Sequence, residues 1–414
     1  MTHGYKKILF FVPVVLFLFT ACKESGDGTP ASDQNFYYIN IGEFPTLNAV
    51  KNYRTGLSKE INDHANIQKI SDHAYRLLVG KYGTSFQAGK EAYNYFSKNL
   101  IRDYSILKAG KNVLDEFRNI LFVADFQGRP SVYQFDLLSK KSVIIWSRWG
   151  SKVASLNTTE DRKTAFITSV LSLGKRGGLP YLLDARIFLL NREKNEYYEK
   201  YQFGDGMQLY TYWENPDTFK VNLTSIDTVN SRIVYQKIFP FDRNGKAGSA
   251  VTREFDLVKN GFPLPPGRTP LYFSPNSRFQ FRQTAFNNEY DIYLKDIQEK
   301  SEVLVATSSR KLADARWSED GNYLFIVTVN VQTGIGKKKN EPSGELIVID
   351  AQQKKQVNVF SGYRYKNILP HGNLLLFDER SNTSSKINIL DFKRNEIIYT
   401  VTMPGGCGLN DLPL

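Results

Sequence analysis

The side chains able to do chemistry are few, and their spacing limits what they can do. There are two cysteines, Cys22 and Cys407, and three of the four histidines lie beyond residue 21: His64, His73 and His371. His64 and His73 each follow an aspartate, Asp63 and Asp72, but nine residues apart on an irregular stretch is no zinc-ligand spacing. No Gly-x-Ser-x-Gly elbow presents a serine nucleophile. Gly334-Ile335-Gly336-Lys337 lacks the spacing of a phosphate loop. Asp320-Gly321 and Asp242-x-Asn244-Gly245 lack the closing glutamate of a calcium loop and read as tight turns needing positive φ. No catalytic residue, metal ligand or cofactor is therefore expected. A glycosidase-like pair of carboxylates stays open, because such a pair is made in space.

Cys22 has the most specific context. Lys6-Lys7 precede an almost wholly apolar run from Ile8 to Ala21, too short for an ordinary membrane span of about 20 residues and suited to a secretory leader. Leu18-Phe19-Thr20-Ala21-Cys22 resembles a bacterial lipobox, with small residues at Thr20 and Ala21 and Phe19 where leucine is usual. The resemblance implies lipid attachment at Cys22 and cleavage before it. Residues 23–35, KESGDGTPASDQN, are polar and without apolar period, as a flexible tether would be. Residues 1–21 are thus expected to be a lipoprotein signal peptide and 22–35 a tether. By resemblance to enteric sorting rules, the absence of aspartate directly after the cysteine argues against retention on the inner membrane, so the expected place is the cell envelope, on the outer membrane. With Cys22 lipidated, Cys407 has no disulfide partner and the fold must rely on packing.

The elements that would position any site follow from a repeat. Phe273-Ser274-Pro275-Asn276 returns 44 residues later as Trp317-Ser318-Glu319-Asp320-Gly321, each copy followed by an alternating strand. Aromatics make up 14% of the chain, mostly Tyr and Phe, which favours sheet. Four short strands per repeat of about 40–50 residues is a propeller signature. The residues resemble the TolB-like propeller repeat, an aromatic-Ser-Pro-Asp-Gly turn followed by a strand and an "iyv-d" strand.

With strands lettered a to d from the axis outward, blade A is expected at 119–126, 131–138 and 142–149, and blade B at 152–158, 163–172, 184–192 and 195–203. Blade C is expected at 205–213, 217–227, 231–239 and 250–257, and blade D at 271–274, 278–285, 290–297 and 302–307. Blade E follows at 313–318, 323–331, 345–351 and 356–362. The last blade takes 365–370, 373–379, 386–392 and 396–402. The strand-c ends Asp136, Asn191, Asp296, Asp350 and Asp391 keep the period. The expected fold is all-β, a single propeller over 36–414 with seven four-stranded blades, the alternative being six. Residues 36–118 form its irregular start, and Phe36–Ile41 could close the ring. Phe273 and Trp317, at equivalent positions, are expected to pack between blades.

The formal charge is +12, from 54 Lys+Arg against 42 Asp+Glu. In a propeller the d–a connections and b–c loops emerge on one end. On that end the sequence places Lys152, Arg268, Arg310, Lys311 and Arg364, with Lys175-Arg176 and Lys337 in b–c loops. Acids there are few: Asp205, Glu289 and Glu341. A basic funnel facing an anionic partner is expected. The reading is a non-catalytic, lipid-anchored envelope protein, monomeric, that binds an anionic polymer or protein and not nucleic acid. Alternatives are a propeller hydrolase or lyase acting on a glycan or lactone, and, by the TolB resemblance, a scaffold in an envelope complex.

Overall fold

The computed structural model describes residues 35–126, 128–176, 179–227, 229–260, 272–286, 289–329, 344–362, 365–380 and 384–410. The leader, all of the tether but Asn35, Arg268, Lys337 and Arg364 lie outside them.

The first unit is β1 (Tyr37–Phe44), α1 (Leu47–Thr55), α2 (Lys59–Asn62), β2 (Ala65–Ser71), β3 (Ala74–Tyr82), α3 (Ser85–Ser97), β4 (Ser105–Lys108) and β5 (Lys111–Val113). The sheet order is β2-β3-β1-β4-β5, which is not the meander of a blade. Helix α3 starts because the Thr84 hydroxyl accepts from the Gln87 amide (3.1 Å), satisfying one of the helix's orphan donors. Its Gly89 is needed for close approach: a Cβ there would stand 2.0 Å from an Asp115 carboxylate oxygen.

The rest of the described chain is all β apart from one short helix. Blade A holds β6 (Asn119–Phe126), β7 (Arg129–Asp136) and β8 (Ser142–Ser147). Blade B holds β9 (Lys152–Thr158), β10 (Thr164–Val170), β11 (Ser172–Arg176), β12 (Leu179–Asn191) and β13 (Glu196–Gly206). Blade C is β14 (Gln208–Asn215), β15 (Thr218–Ile226), β16 (Ile233–Asp242) and β17 (Val251–Asp256), followed by α4 (Leu257–Asn260). Blade D is β18 (Phe279–Phe286), β19 (Glu289–Asp296) and β20 (Ser301–Ser308), with a single inner bridge from Phe273 to Gln280. Blade E is β21 (Lys311–Trp317), β22 (Tyr323–Val329), β23 (Gly344–Asp350) and β24 (Lys355–Gly362). The last blade is β25 (Tyr365–His371), β26 (Leu374–Arg380), β27 (Ser385–Asp391) and β28 (Glu396–Thr402), and β29 (Cys407–Gly408) ends the described chain.

Radial position explains the patterns. Middle strands such as β22 and β26 are buried on both faces, between neighbouring blades, so they read as continuous apolar runs. Outermost strands such as β13 face water over most of their length. The fold is a β-propeller.

The sequence period has a local cause. After strand c, Asp136, Asn191, Asp296, Asp350 and Asp391 each accept a backbone N–H two or three residues on, at 2.8–3.2 Å. Four residues after each, Lys140, Asn195, Lys300, Lys354 and Asn395 take positive φ of 51–58°. The side chain thus replaces ladder partners while the chain reverses. The a–b turns repeat another device: the Phe279 amide donates to Ser274 Oγ and the Tyr323 amide to Ser318 Oγ, both at 2.9 Å. Each hydroxyl donates in turn to Asn276 or Asp320, at 2.6 Å. Gly321, at φ +72°, occupies the left-handed position that glycine adopts without a steric penalty.

Three expectations change. Six sheets have a blade's meander order among the described residues, and 37–113 supplies none, so the alternative count of six matches the sheets seen. The ring is closed by Cys407 and Gly408, which pair with Ala124 and Val123 and give blade A its inner strand. Phe36–Ile41 does not do this, because β1 is held between β3 and β4. Trp317 is buried, 4% exposed, as expected, whereas Phe273 is 55% exposed because its strand is a single bridge.

Candidate binding face

The two ends of the ring differ. At the a–b turn end the N-terminal unit packs onto the propeller. Phe117 stacks on His371 with ring centroids 3.9 Å apart, and its backbone oxygen accepts from His371 Nε2 at 2.7 Å. Arg162, from the a–b turn of blade B, contacts His371 Nδ1 and lies 5.0 Å over the Phe86 ring of α3. Since Nδ1 accepts from a guanidinium, the proton sits on Nε2 and the imidazole is neutral. Arg192 donates to the Arg162 and Asn119 carbonyls at 2.7 and 2.6 Å. Lys90 of α3 pairs with Glu319, which also accepts from the Gly372 amide at 3.2 Å.

Burial sets the charges in this contact. It lowers Arg162 and Arg192 to about 10 and holds His371 well below the ordinary imidazole value, with the Arg162 charge adding to the effect. It raises Asp115 to about 6 and also raises Glu116. A cleft of about 340 Å³ beside this contact is lined by Lys90, Tyr93, Lys98, Asn373, Lys393 and Arg394.

At the other end stand those residues expected to bind that lie among the described ones. Lys152 opens β9, is exposed, and is in register with Val170. Lys175 is exposed on β11, the strand that Arg176 closes. Beyond β10 and β13 on the blade, β11 and β12 continue as a hairpin, with Ser172 opposite Leu183 and Arg176 opposite Leu179. Lys311 opens β21 and is exposed. Arg310 differs: it is ion-paired with Glu345, which also accepts from Ser308 Oγ at 3.0 Å. Lys152 and Lys175 thus share blade B, while Arg310 and Lys311 belong to the D–E connection.

Two acids of this end were not anticipated, Glu345 and Asp184. Asp184 accepts two bonds from Arg186 Nε at 2.9 Å and lies 3.6 Å from Arg148. The Arg186 hydrogen bonds hold its carboxyl below the usual range. Two residues that sequence reasoning did not single out are conspicuous. Trp149, in the connection from β8 to β9, is 74% exposed. Arg129, from the b–c turn of blade A, has its guanidinium 3.7 Å from the indole centroid. The expected strand ran through Trp149, but β8 ends at Ser147 and leaves Trp149 in the loop.

Among the described residues no group of three His, Cys, Asp or Glu could hold a metal ion, and no helix is long and apolar enough to cross a membrane.

No family model matches the chain, and no curated protein matches it by sequence. Solved structures do resemble it. TolB from Acinetobacter baumannii is 12% identical, with 84% of this chain and 81% of that one covered, at a TM-score of 0.41. A nidogen/laminin complex chain is 10% identical over 70% of this chain and 97% of that one, at 0.36. A 6-phosphogluconolactonase homologue from Bacteroides fragilis is 11% identical over 70% and 97%, at 0.31. The likeness is one of fold.

Proposed function

We propose that this chain is a non-catalytic binding protein of the cell envelope whose d–a and b–c end receives an anionic polymer or an acidic protein. The observation that carries the reading is the inequality of the two ends. The N-terminal unit occupies the a–b turns through Phe117, Arg162 and His371, while Lys152, Lys175 and Lys311 stand exposed at the other end, where Trp149 is exposed too. Arg176, Arg268, Lys337 and Arg364 belong to the proposed surface by connectivity, and Arg310 braces it through Glu345. Fields from several like charges add in such a surface and raise the local concentration of an anion.

In this reading residues 1–21 are a leader, Cys22 carries lipid on the outer membrane, and 22–35 let a monomeric propeller reach its partner. Cys22→Ser should abolish fatty-acid labelling; labelling that persists contradicts the anchor. For binding, polyglutamate and alginate oligosaccharides are the probes. Affinity should fall with rising salt, since exposed charges are screened beyond about 8 Å at physiological ionic strength. Lys152→Glu with Lys311→Glu should weaken both probes more than Lys141→Glu on the c–d turn of blade A. Equal effects from the two ends would remove the reading, and turnover of a glycan or lactone by the purified protein would replace it with an enzyme.

A further inference from the structure

Trp149 is 74% exposed at the end proposed to bind an anion, and an indole there can add a stacking contact that a purely electrostatic surface lacks. Trp149 precedes Gly150, whose position for a Cβ lies 4.0 Å from Leu171 Cδ1, and Leu171 is 47% exposed. Lys152 begins the next strand opposite Val170, the residue before Leu171. Arg129 covers one face of the indole at 3.7 Å, so the remaining exposure of the ring belongs to its other face and edge. The b–c turn carrying Arg129 is tight, with Gly128 at φ +76° and Phe126 paired to Arg129. The indole thus lies in the connection between blades A and B, with Arg129 against one face and Lys152 three residues on at the start of β9.

We infer that this indole is the subsite for one sugar ring of an acidic glycan. The inference rests on the proposed anion-binding end and narrows its ligand. A pyranose presents one apolar face of C–H groups that stacks on the open face of an indole, while the carboxylates, sulfates or phosphates of the chain reach Arg129 and Lys152. Arg129, already stacked on the ring, keeps its N–H edge available to such an anion. A protein partner fits less well, because a stable interface needs about 800 Å² per partner around an apolar centre. Among the described residues of the two connections, the exposed large apolar side chains are Trp149 and Leu171. The exposed Val143 and Ile144 sit toward the far end of β8, up to about 17–20 Å away at about 3.3 Å per residue.

The test uses the full mature protein with alginate oligosaccharides, polyglutamate and neutral dextran, read by calorimetry at low salt. Alginate should bind, dextran should not, and Trp149→Ala should weaken alginate about tenfold, the scale of one aromatic stacking contact. Trp149→Tyr should restore most of the affinity, and Trp149→Ala should leave polyglutamate binding within about twofold, well short of the tenfold stacking loss. If Trp149→Ala leaves alginate unchanged while Lys152→Glu weakens both polymers, the glycan subsite is wrong and the anion-binding end stands. If neither polymer binds the wild type, both are wrong.

Discussion

Phe117→Ala probes how the N-terminal unit is fixed to the propeller. Phe117 is 1% exposed and stacks on His371, with Phe86 and Tyr93 rings 5.5 and 5.6 Å away. Truncation removes a whole buried ring and leaves a cavity, which costs about 3–5 kcal/mol. The backbone oxygen that accepts from His371 survives the substitution, so the loss isolates the ring. One core joins residues of β1, β3 and α3 to Ile120, Leu374 and Cys407 of the propeller. The two units should therefore unfold together in the wild type. All four tryptophans lie between Trp146 and Trp317, in the blades, so their fluorescence reports the propeller alone. Far-ultraviolet circular dichroism also reports α1 and α3. In urea, Phe117→Ala should lose helix signal at a clearly lower midpoint than tryptophan fluorescence. Coincident transitions with a change below about 1 kcal/mol would refute the ring's role as the latch.

Three further outcomes follow from the same packing. Trp317→Ala should destabilise by about 3–5 kcal/mol, since the indole is buried parallel to Phe279; no loss on thermal denaturation would put the blade register in error. Asp115 holds its proton up to about 6, so its stabilising contribution is full below the ordinary aspartate value of about 3.9 and fades as pH rises through about 6. Asp115→Asn should remove that decline from a plot of melting temperature against pH. His371 has the opposite sign: its neutral form is favoured, so its contribution is present above about 6.5 and lost as pH falls below it, and His371→Gln should flatten that acid limb.

What was legible in the sequence was local. The aspartates that end strand c announce their turns because each carboxylate or amide serves the backbone within a few residues. The aromatic-Ser turn is readable for the same reason, since Ser274 and Ser318 bind amides five residues on. What was not legible depends on distant partners. The N-terminal sheet has β1 between β3 and β4, an order that no window of sequence encodes. The closing strand is two residues long and carries no period. Arg310 looked like a surface cation because Glu345 lies 35 residues away, at the start of β23. Trp149 continues the apolar pattern of β8, so the pattern alone extends the strand to it, although the strand stops two residues earlier.

The central claim is that the ring uses one end for its own N-terminal unit and the other for an anion. Amide hydrogen exchange of the mature protein, with and without saturating alginate oligosaccharides, tests it most directly. The account predicts added protection at 128–129, 148–152 and 171–175, and none at 159–163 or 371–373. Protection centred on those a–b turns or on α3, with the Trp149 connection unchanged, would contradict it.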